Sequence, residues 1–122
     1  MSWTYSISTG MLADPFGAQY GPGYSGNGAW KNQAGDIEVR NHGPIPIGGY
    51  TMGKSIDSAT LGPLAIPLTP KATNQMFDRG GFWMHGDSLS HPGDASDGCI
   101  VQDHDTRMAA DASADRDLEV VA

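Results

Sequence analysis

Glycine and proline occupy about a fifth of the chain, 17 Gly and 8 Pro in 122 residues, and this limits the fold more than any other feature. Glycine weakens a helix interior and proline breaks one. The sequence therefore reads as many turns and short strands rather than long helices. The glycines show no three-residue period, which excludes a collagen-like chain. Three Trp, four Tyr and well-spread aliphatic residues argue against disorder. A chain of this length can bury roughly two thirds of its unfolded surface, enough for one core. Residues 1–122 are read as a single domain.

Alternation marks the strands. Trp3, Tyr5 and Ile7 alternate with hydroxyl residues over 3–8, a period of two. Met11 to Asn32 carries Gly17, Gly21, Gly23, Gly26 and Gly28 with Pro15 and Pro22, a long glycine-rich loop or loose hairpin. Ile37–Val39 is a short alternating segment, and Gly43–Gly49 is a proline-bearing turn. Tyr50–Met52, Leu64–Leu68, Phe82–Met84, Ile100–Val101 and Leu118–Val120 read as further strands. Pro67, which lacks a donor, places Leu64–Leu68 at a sheet edge. Only Asp105–Ala114 looks helical, with an acidic start and with Met108, Ala109 and Ala112 on one face. The expected fold is mainly β, with a short C-terminal helix.

The formal net charge is −7. An acidic chain is a poor ligand for nucleic acid, which takes cations along its phosphates, or for an anionic membrane surface. No apolar run approaches the ~20 residues that span a bilayer. Residues 1–5 show no basic stretch followed by an apolar one, so no secretory signal is expected. Cys99 is the only cysteine, which excludes an intramolecular disulfide and a four-cysteine zinc site. No cofactor is expected.

Gly48 to Ser55 matches the phosphate-loop pattern letter for letter. That pattern works between a strand and a helix. Here it lies between Pro44–Pro46 and a short run ending at Gly62-Pro63, so it reads as a strand and turn with an exposed Lys54.

The chemistry concentrates between Arg79 and Ile100. His85 ends an apolar strand and is followed by Gly86; Cys99 follows Ser96-Asp97-Gly98 and leads into Ile100-Val101. A strand–loop–strand of this kind brings a thiol nucleophile and a base side by side. A free cysteine is only about 3% thiolate at pH 7, whereas a neighbouring imidazolium that lowered its pKa to about 6 would make it roughly 90% thiolate. His85 can then act as general acid towards the leaving amine. Backbone N–H groups at Gly98 and Cys99 are candidates for an oxyanion site. Ser96 or Asp97 could orient the imidazole. Arg79 could bind a substrate carboxylate through its forked donors. His91, on a polar loop, competes with His85 as the base.

His85-Gly86, a loop and Ser96-Asp97-Gly98-Cys99-Ile100 resemble the signature of the YkuD-like L,D-transpeptidase catalytic domain. The chain is similar, more narrowly, to the small L,D-transpeptidase effectors of type VI secretion. The shared features run from about residue 3 to 101: the Trp3-Thr4-Tyr5 start with Ser8-Thr9-Gly10, Tyr24-Ser25-Gly26, Gly43 to Tyr50, Arg79, His85-Gly86-Asp87 and Ala95 to Ile100. The resemblance implies a β-sandwich or barrel with long glycine-rich loops. It implies a cysteine acyl-enzyme mechanism on peptidoglycan tetrapeptide stems, with Cys99 as nucleophile, His85 as base and Gly98 and Cys99 forming the oxyanion site. Ser96 and Asp97 complete the catalytic set, and Arg79, Gly86, Asp87, Tyr24 and His91 are the candidate substrate-binding residues. Cell-wall-building relatives usually carry His at the position of Asp97, and often Arg or Asn where this chain has Val101 and Gln102. The effector-type relatives are looser at both places. The effector resemblance implies a protein made in the cytoplasm and delivered to the periplasm of a target bacterium, with a cognate immunity protein and a secretion-apparatus carrier as partners.

Two other readings compete. His42, His85, His91 and His104 with Asp87, Asp94 and Asp103 could supply a metal-dependent hydrolase. Alternatively the chain is a non-enzymatic β module of a phage or secretion apparatus, with Cys99 buried and inert.

Overall fold

The computed structural model describes residues 1–122, and the chain is mainly β with one short helix. The two chain ends pair with each other. Strand β1 (Ser2–Ser6) buries Trp3 and Tyr5 and leaves its alternate residues half-exposed. The last strand follows the same alternation over Asp117–Val121, burying Leu118 and Val120. The two run parallel, with Trp3 beside Leu118 and Tyr5 beside Val120. On the far side of β1 lies a small hairpin of β2 (Leu12–Ala13) and β3 (Gln19–Tyr20). The glycine-rich stretch thus supplies a hairpin and then β4 (Tyr24–Ser25).

Strand β5 (Gly48–Met52) pairs antiparallel with the last strand, and Met52 faces Leu68 on the long strand β7 (Gly62–Pro70). Strand β7 joins three neighbours. Its N-terminal part pairs with β6 (Ile56–Ser58), its middle with β8 (Trp83–His85) and its C-terminal part with β5. Strand β8 runs parallel to β9 (Ile100–Val101), and β9 pairs antiparallel with β4. With the last strand as β10, the path is β3-β2-β1-β10-β5-β7-β8-β9-β4. The sheet is open, with β3 and β4 at its ends, rather than closed into a barrel. One core runs through it, including Ile7, Leu12, Ile45, Tyr50, Ile66 and Ile100.

Three local expectations are corrected, those for the Pro67 strand, for Ile37–Val39 and for the helix, and the reading of the phosphate-loop look-alike holds. The strand carrying Pro67 is not at an edge. Pro67 faces Trp83, and its carbonyl accepts from the Gly53 N–H at 2.8 Å, so the missing donor coincides with a place where only an acceptor is used. Ile37–Val39 forms no strand, because its backbone groups bond within local turns, Val39 N to Asp36 O at 3.1 Å and Gly43 N to Val39 O at 2.9 Å. Helix α1 spans His104–Ala112 and starts where the Asp103 side chain accepts from the Thr106 N–H at 2.8 Å. Its buried face is Thr106, Arg107 and Ala110, while Met108 is 51% exposed. Arg107 takes the inner position because its guanidinium donates to the backbone carbonyls of Pro63, at 2.7 Å, and Gln102, at 3.1 Å. The phosphate-loop look-alike is strand β5 followed by a turn and β6, with Lys54 exposed and no helix to present N–H groups.

Candidate active site

The parallel pairing of β8 and β9 brings the chemistry together. Met84 faces Ile100 and His85 faces Val101. One step back along that register, the Cys99 Sγ accepts from the Trp83 N–H at 3.3 Å. His85 therefore lies one pleat along from Cys99, diagonal to it across the two strands. No hydrogen bond joins the two side chains; the other close polar neighbour of Sγ is the Gly81 carbonyl, at 3.9 Å.

His85 is buried, and its Nδ1 lies 2.8 Å from the Gly86 carbonyl. A carbonyl only accepts, so Nδ1 carries the proton in the neutral ring and Nε2 keeps its lone pair. Burial holds the imidazole pKa below its usual value against the raising effect of the Gly86 hydrogen bond; the Arg107 cation adds a smaller lowering and Asp87 a smaller raising. Burial also pushes the half-buried Cys99 thiol up, helped by the Asp97 carboxylate and opposed by the Trp83 N–H and the Arg79 cation. The resting pair is thus neutral thiol and neutral imidazole. Both directions run against a thiolate at rest, since desolvation of Cys99 outweighs the cationic help of Arg79.

Ser96 organises the turn that carries Cys99. Its buried Oγ donates to the Cys99 carbonyl at 2.6 Å and accepts from the N–H groups of Gly26, at 2.9 Å, and Gly98, at 3.1 Å. The Gly98 N–H is thereby committed, while the Cys99 N–H bonds to no group of the chain. Gly98 has φ +135°, and a Cβ there would lie 2.5 Å from Arg79 Nη2 and 2.8 Å from Phe82 Cε1, so the turn tolerates no side chain. Neither Ser96 nor Asp97 reaches His85, whose orienting partner is the Gly86 carbonyl. Asp97 is exposed, with its carboxylate 3.3 Å from the Asn27 amide.

Arg79 is buried, and its guanidinium is taken up by backbone carbonyls. It donates to Pro44 at 2.7 Å, Gly43 at 2.9 Å and Asp97 at 3.2 Å, and to Ile37. It ties the 37–44 segment to the turn that carries Cys99. Tyr24 donates from its hydroxyl to Asp87 Oδ1 at 2.6 Å and accepts from the Ala95 N–H at 2.9 Å. Asp87 also accepts from the N–H groups of Ser88, at 2.8 Å, and Gly93, at 3.0 Å. These bonds shape the loop after His85. Gly86 lies against Arg107, where a Cβ would come within 2.8 Å of Nη2. His91 is exposed on that loop, 3.0 Å from the Ser90 hydroxyl, and is not brought to Cys99.

Three contributors escaped the sequence reading. The buried Ser25 Oγ donates to the Gly98 carbonyl at 3.0 Å and accepts from the Ile45 N–H at 2.9 Å. The Asn27 amide donates to Ser96 O and Asn41 O, each at 2.9 Å. Arg107 closes the space behind Gly86. For Ser25 the only trace was its place in the Tyr24–Gly26 motif; Asn27 and Arg107 left none.

Two clefts lie on this part of the surface. One, of about 400 Å³, is lined by His85, Gly86 and Asp87 with Leu61 and Leu89. The other, of about 260 Å³, is lined by Gly80, Phe82, Arg79 and Asp97 with Arg40 and Asp78. Cys99 lines neither of them. No three His, Cys, Asp or Glu side chains converge on one point. His42 stacks on Trp30 and His104 lies exposed on α1, so the donors for a metal-dependent hydrolase are dispersed.

The Tlde1 domain model matches residues 20–121, from Tyr20 in β3 to the end of β10, and so spans His85, Cys99 and the helix. The chain belongs to the Tlde1 domain family. This is a family of type VI secretion effector domains, compatible with an antibacterial role in modifying peptidoglycan. No curated protein and no solved structure gives a match. No helix of this Tlde1 domain is long and apolar enough to cross a membrane.

Proposed function

We propose that this Tlde1 domain is a cysteine-dependent peptidoglycan-modifying enzyme that acts on tetrapeptide stems as an L,D-carboxypeptidase and exchange transpeptidase. The observation that carries this reading is the placement of Cys99 beside β8, one pleat from a buried histidine whose Nε2 lone pair is free. In the reaction, Nε2 of His85 takes the thiol proton as Sγ attacks the carbonyl between the third stem residue and the terminal D-Ala. The unpaired Cys99 N–H faces the developing oxyanion. Collapse of the tetrahedral adduct breaks the amide bond; the D-Ala nitrogen takes the proton back from His85 and leaves, and a thioester remains on Cys99. Water, a free D-amino acid or the amine of a second stem then attacks the thioester, giving a shortened stem, an exchanged tail or a cross-link. Because thiol and imidazole are both neutral at rest, the proton moves during attack, when the bound substrate draws the two groups together.

The effector family supports delivery to the periplasm of a target bacterium, and a toxin of this kind calls for a cognate immunity protein in the producing cell. The test is mass spectrometry of purified tetrapeptide muropeptides incubated with the protein and with Cys99→Ala, with and without a D-amino acid. Loss or replacement of D-Ala by the wild type alone is the expected result. No change in either sample, with both proteins folded, overturns the reading.

A further inference from the structure

Strand β1, the β2–β3 hairpin and the end of α1 form a groove that the proposed reaction does not use. It measures about 220 Å³, and Trp3, Phe16, Tyr20, Ala109 and Ala112 line it. None of them lines the clefts near His85 and Arg79. The buried Trp3 fixes both sides of the groove. Its ring lies against that of Tyr20, with centroids 5.6 Å apart, and its Nε1 donates to Ser113 Oγ at 3.0 Å. The hairpin turn is fixed as well. Asp14 Oδ1 accepts from the N–H groups of Phe16 and Ala18, each at 2.9 Å, and Gly17 takes φ +94°. Yet this ordered turn holds Phe16 84% exposed, and Met108, on the outer face of α1, is 51% exposed. Burying a phenylalanine side chain is worth roughly 1.5–3 kcal/mol, a gain this chain forgoes at Phe16.

The border of this apolar face is acidic. Asp14 lines the groove, and Asp105, Asp111 and Asp115 lie along α1 and just beyond its end. Against these four carboxylates stand the Arg116 guanidinium and the N-terminal ammonium. No lysine occurs in residues 1–30 or 103–122. Arg107 is turned inward, and Arg116 donates to the backbone carbonyls of Met52, Gly53 and Ala110, so neither cation is displayed.

We propose that this face docks a partner protein that takes Phe16 into an apolar socket rimmed by lysine or arginine. An aromatic side chain seated in a desolvated pocket carries a large share of the energy of such an interface. Opposite charges at the rim speed encounter and reject wrong partners. A second copy of this chain fits poorly, because it would bring two acidic borders together and each chain has a formal charge of −7. An anionic bilayer meets the same repulsion. A cationic protein surface gains at Phe16 and at the carboxylates alike. The turn at 14–18 precedes the residues that the Tlde1 model matches, and nothing in the proposed chemistry of Cys99 depends on it.

The test is photo-crosslinking in the producing bacterium with Phe16→benzoylphenylalanine, and with the same substitution at Ile56, 49% exposed on β6, as the control. Light should give an adduct with one other protein from position 16 and none from position 56. That protein, purified, should bind the wild type and lose affinity about tenfold or more against Phe16→Ser. Asp105→Lys should weaken binding too, and affinity should fall as salt is raised from about 0.05 to 0.5 M, because opposite charges meet at the rim. Phe16 and Asp105 are exposed, so both variants fold, and Phe16→Ser should keep the wild-type level of D-Ala release. Binding is read without turnover, so failure of the proposed reaction leaves this test intact. The proposal is overturned by no adduct at position 16, by adducts only between copies of this chain, or by equal adducts at position 56. It is overturned as well if binding of the purified partner is indifferent to Phe16→Ser or to salt. Phe16-dependent pelleting with phosphatidylglycerol vesicles would assign the face to a membrane instead and overturn it too.

Discussion

The Tyr24 hydroxyl and the Asp87 carboxylate, 63 positions apart, meet in a 2.6 Å hydrogen bond that anchors the loop following His85 to the edge strand β4. The same hydroxyl accepts from the Ala95 N–H, and the same carboxylate accepts from the N–H groups of Ser88 and Gly93. One tyrosine and one aspartate thus hold both ends of the segment that links the histidine to the turn that carries Cys99. Partial burial resists ionisation of Asp87, but the hydrogen bonds from Tyr24, Gly93 and Ser88 outweigh it and hold its pKa below the usual carboxylate value.

Tyr24→Phe is expected to cost about 1 kcal/mol at pH 7, below the range of roughly 1.5–3 for hydrogen bonds to charged groups because Asp87 is exposed and screened. The sign with pH follows from the depressed pKa. Such a carboxylate adds stability above its unfolded value of about 3.9, and that stability is lost as pH falls through the lower folded value. The gap between wild type and variant in urea midpoint should therefore narrow as pH drops below about 3.9. A gap that stays constant down to that range would show that the bond does not favour the ionised carboxylate.

Ser96→Ala should be more damaging than its size suggests. It leaves the N–H groups of Gly26 and Gly98 and the Cys99 carbonyl without their partner in a buried turn. The expected loss is about 2–4 kcal/mol, because each stranded polar group keeps its desolvation cost. Denaturant unfolding measures it. Release of D-Ala should fall with it even where the variant is fully folded, since the turn that carries Cys99 is no longer fixed. A folded variant with wild-type turnover would remove Ser96 from the site.

Alternation made β1, β5 and β10 legible in the sequence, because each buries residues at a period of two against one core, while β8 and β9 were legible only as short apolar runs. The meeting of Cys99 and His85 was legible as well, since each lies at an end of one of two short apolar segments that pair with each other. The arginines were not. Arg79 reads as a carboxylate ligand and Arg107 carries no signal in the sequence, yet both are buried because loop carbonyls converge on them. That convergence depends on segments some 40 residues distant, to which no local pattern is sensitive. The direction of the Cys99 shift was not legible for a related reason: a thiolate needs a charged imidazole beside it, and the burial of His85 disfavours that charge.

Arg79→Lys tests that buried clasp. A lysine keeps the charge but has neither the forked geometry nor the reach to serve four carbonyls. The expected cost is about 3 kcal/mol or more, seen as a lower midpoint of thermal or urea unfolding. If Arg79 were instead an exposed ligand for a substrate carboxylate, stability would be unchanged and only the KM for stems would rise. Measuring both quantities on one preparation separates the two roles.

The thiol of Cys99 should titrate above the usual cysteine range of about 8.5 when alkylation by a small haloacetamide is followed against pH. Burial pushes it up, and the nearby Asp97 adds to the effect. His85→Ala should leave that midpoint in place while abolishing release of D-Ala, because the neutral imidazole acts as a base during attack rather than as a resting counter-ion. The pH profile of turnover follows from the same two shifts. Its acid limb should lie below about 6.5, where His85 becomes protonated and loses the Nε2 lone pair, and its alkaline limb above about 8.5. The plateau between them would be broader than an unperturbed pair could give. A wild-type alkylation midpoint near 6 that rises in His85→Ala would instead establish a preformed thiolate–imidazolium pair, and the proton would then have moved before the substrate arrived.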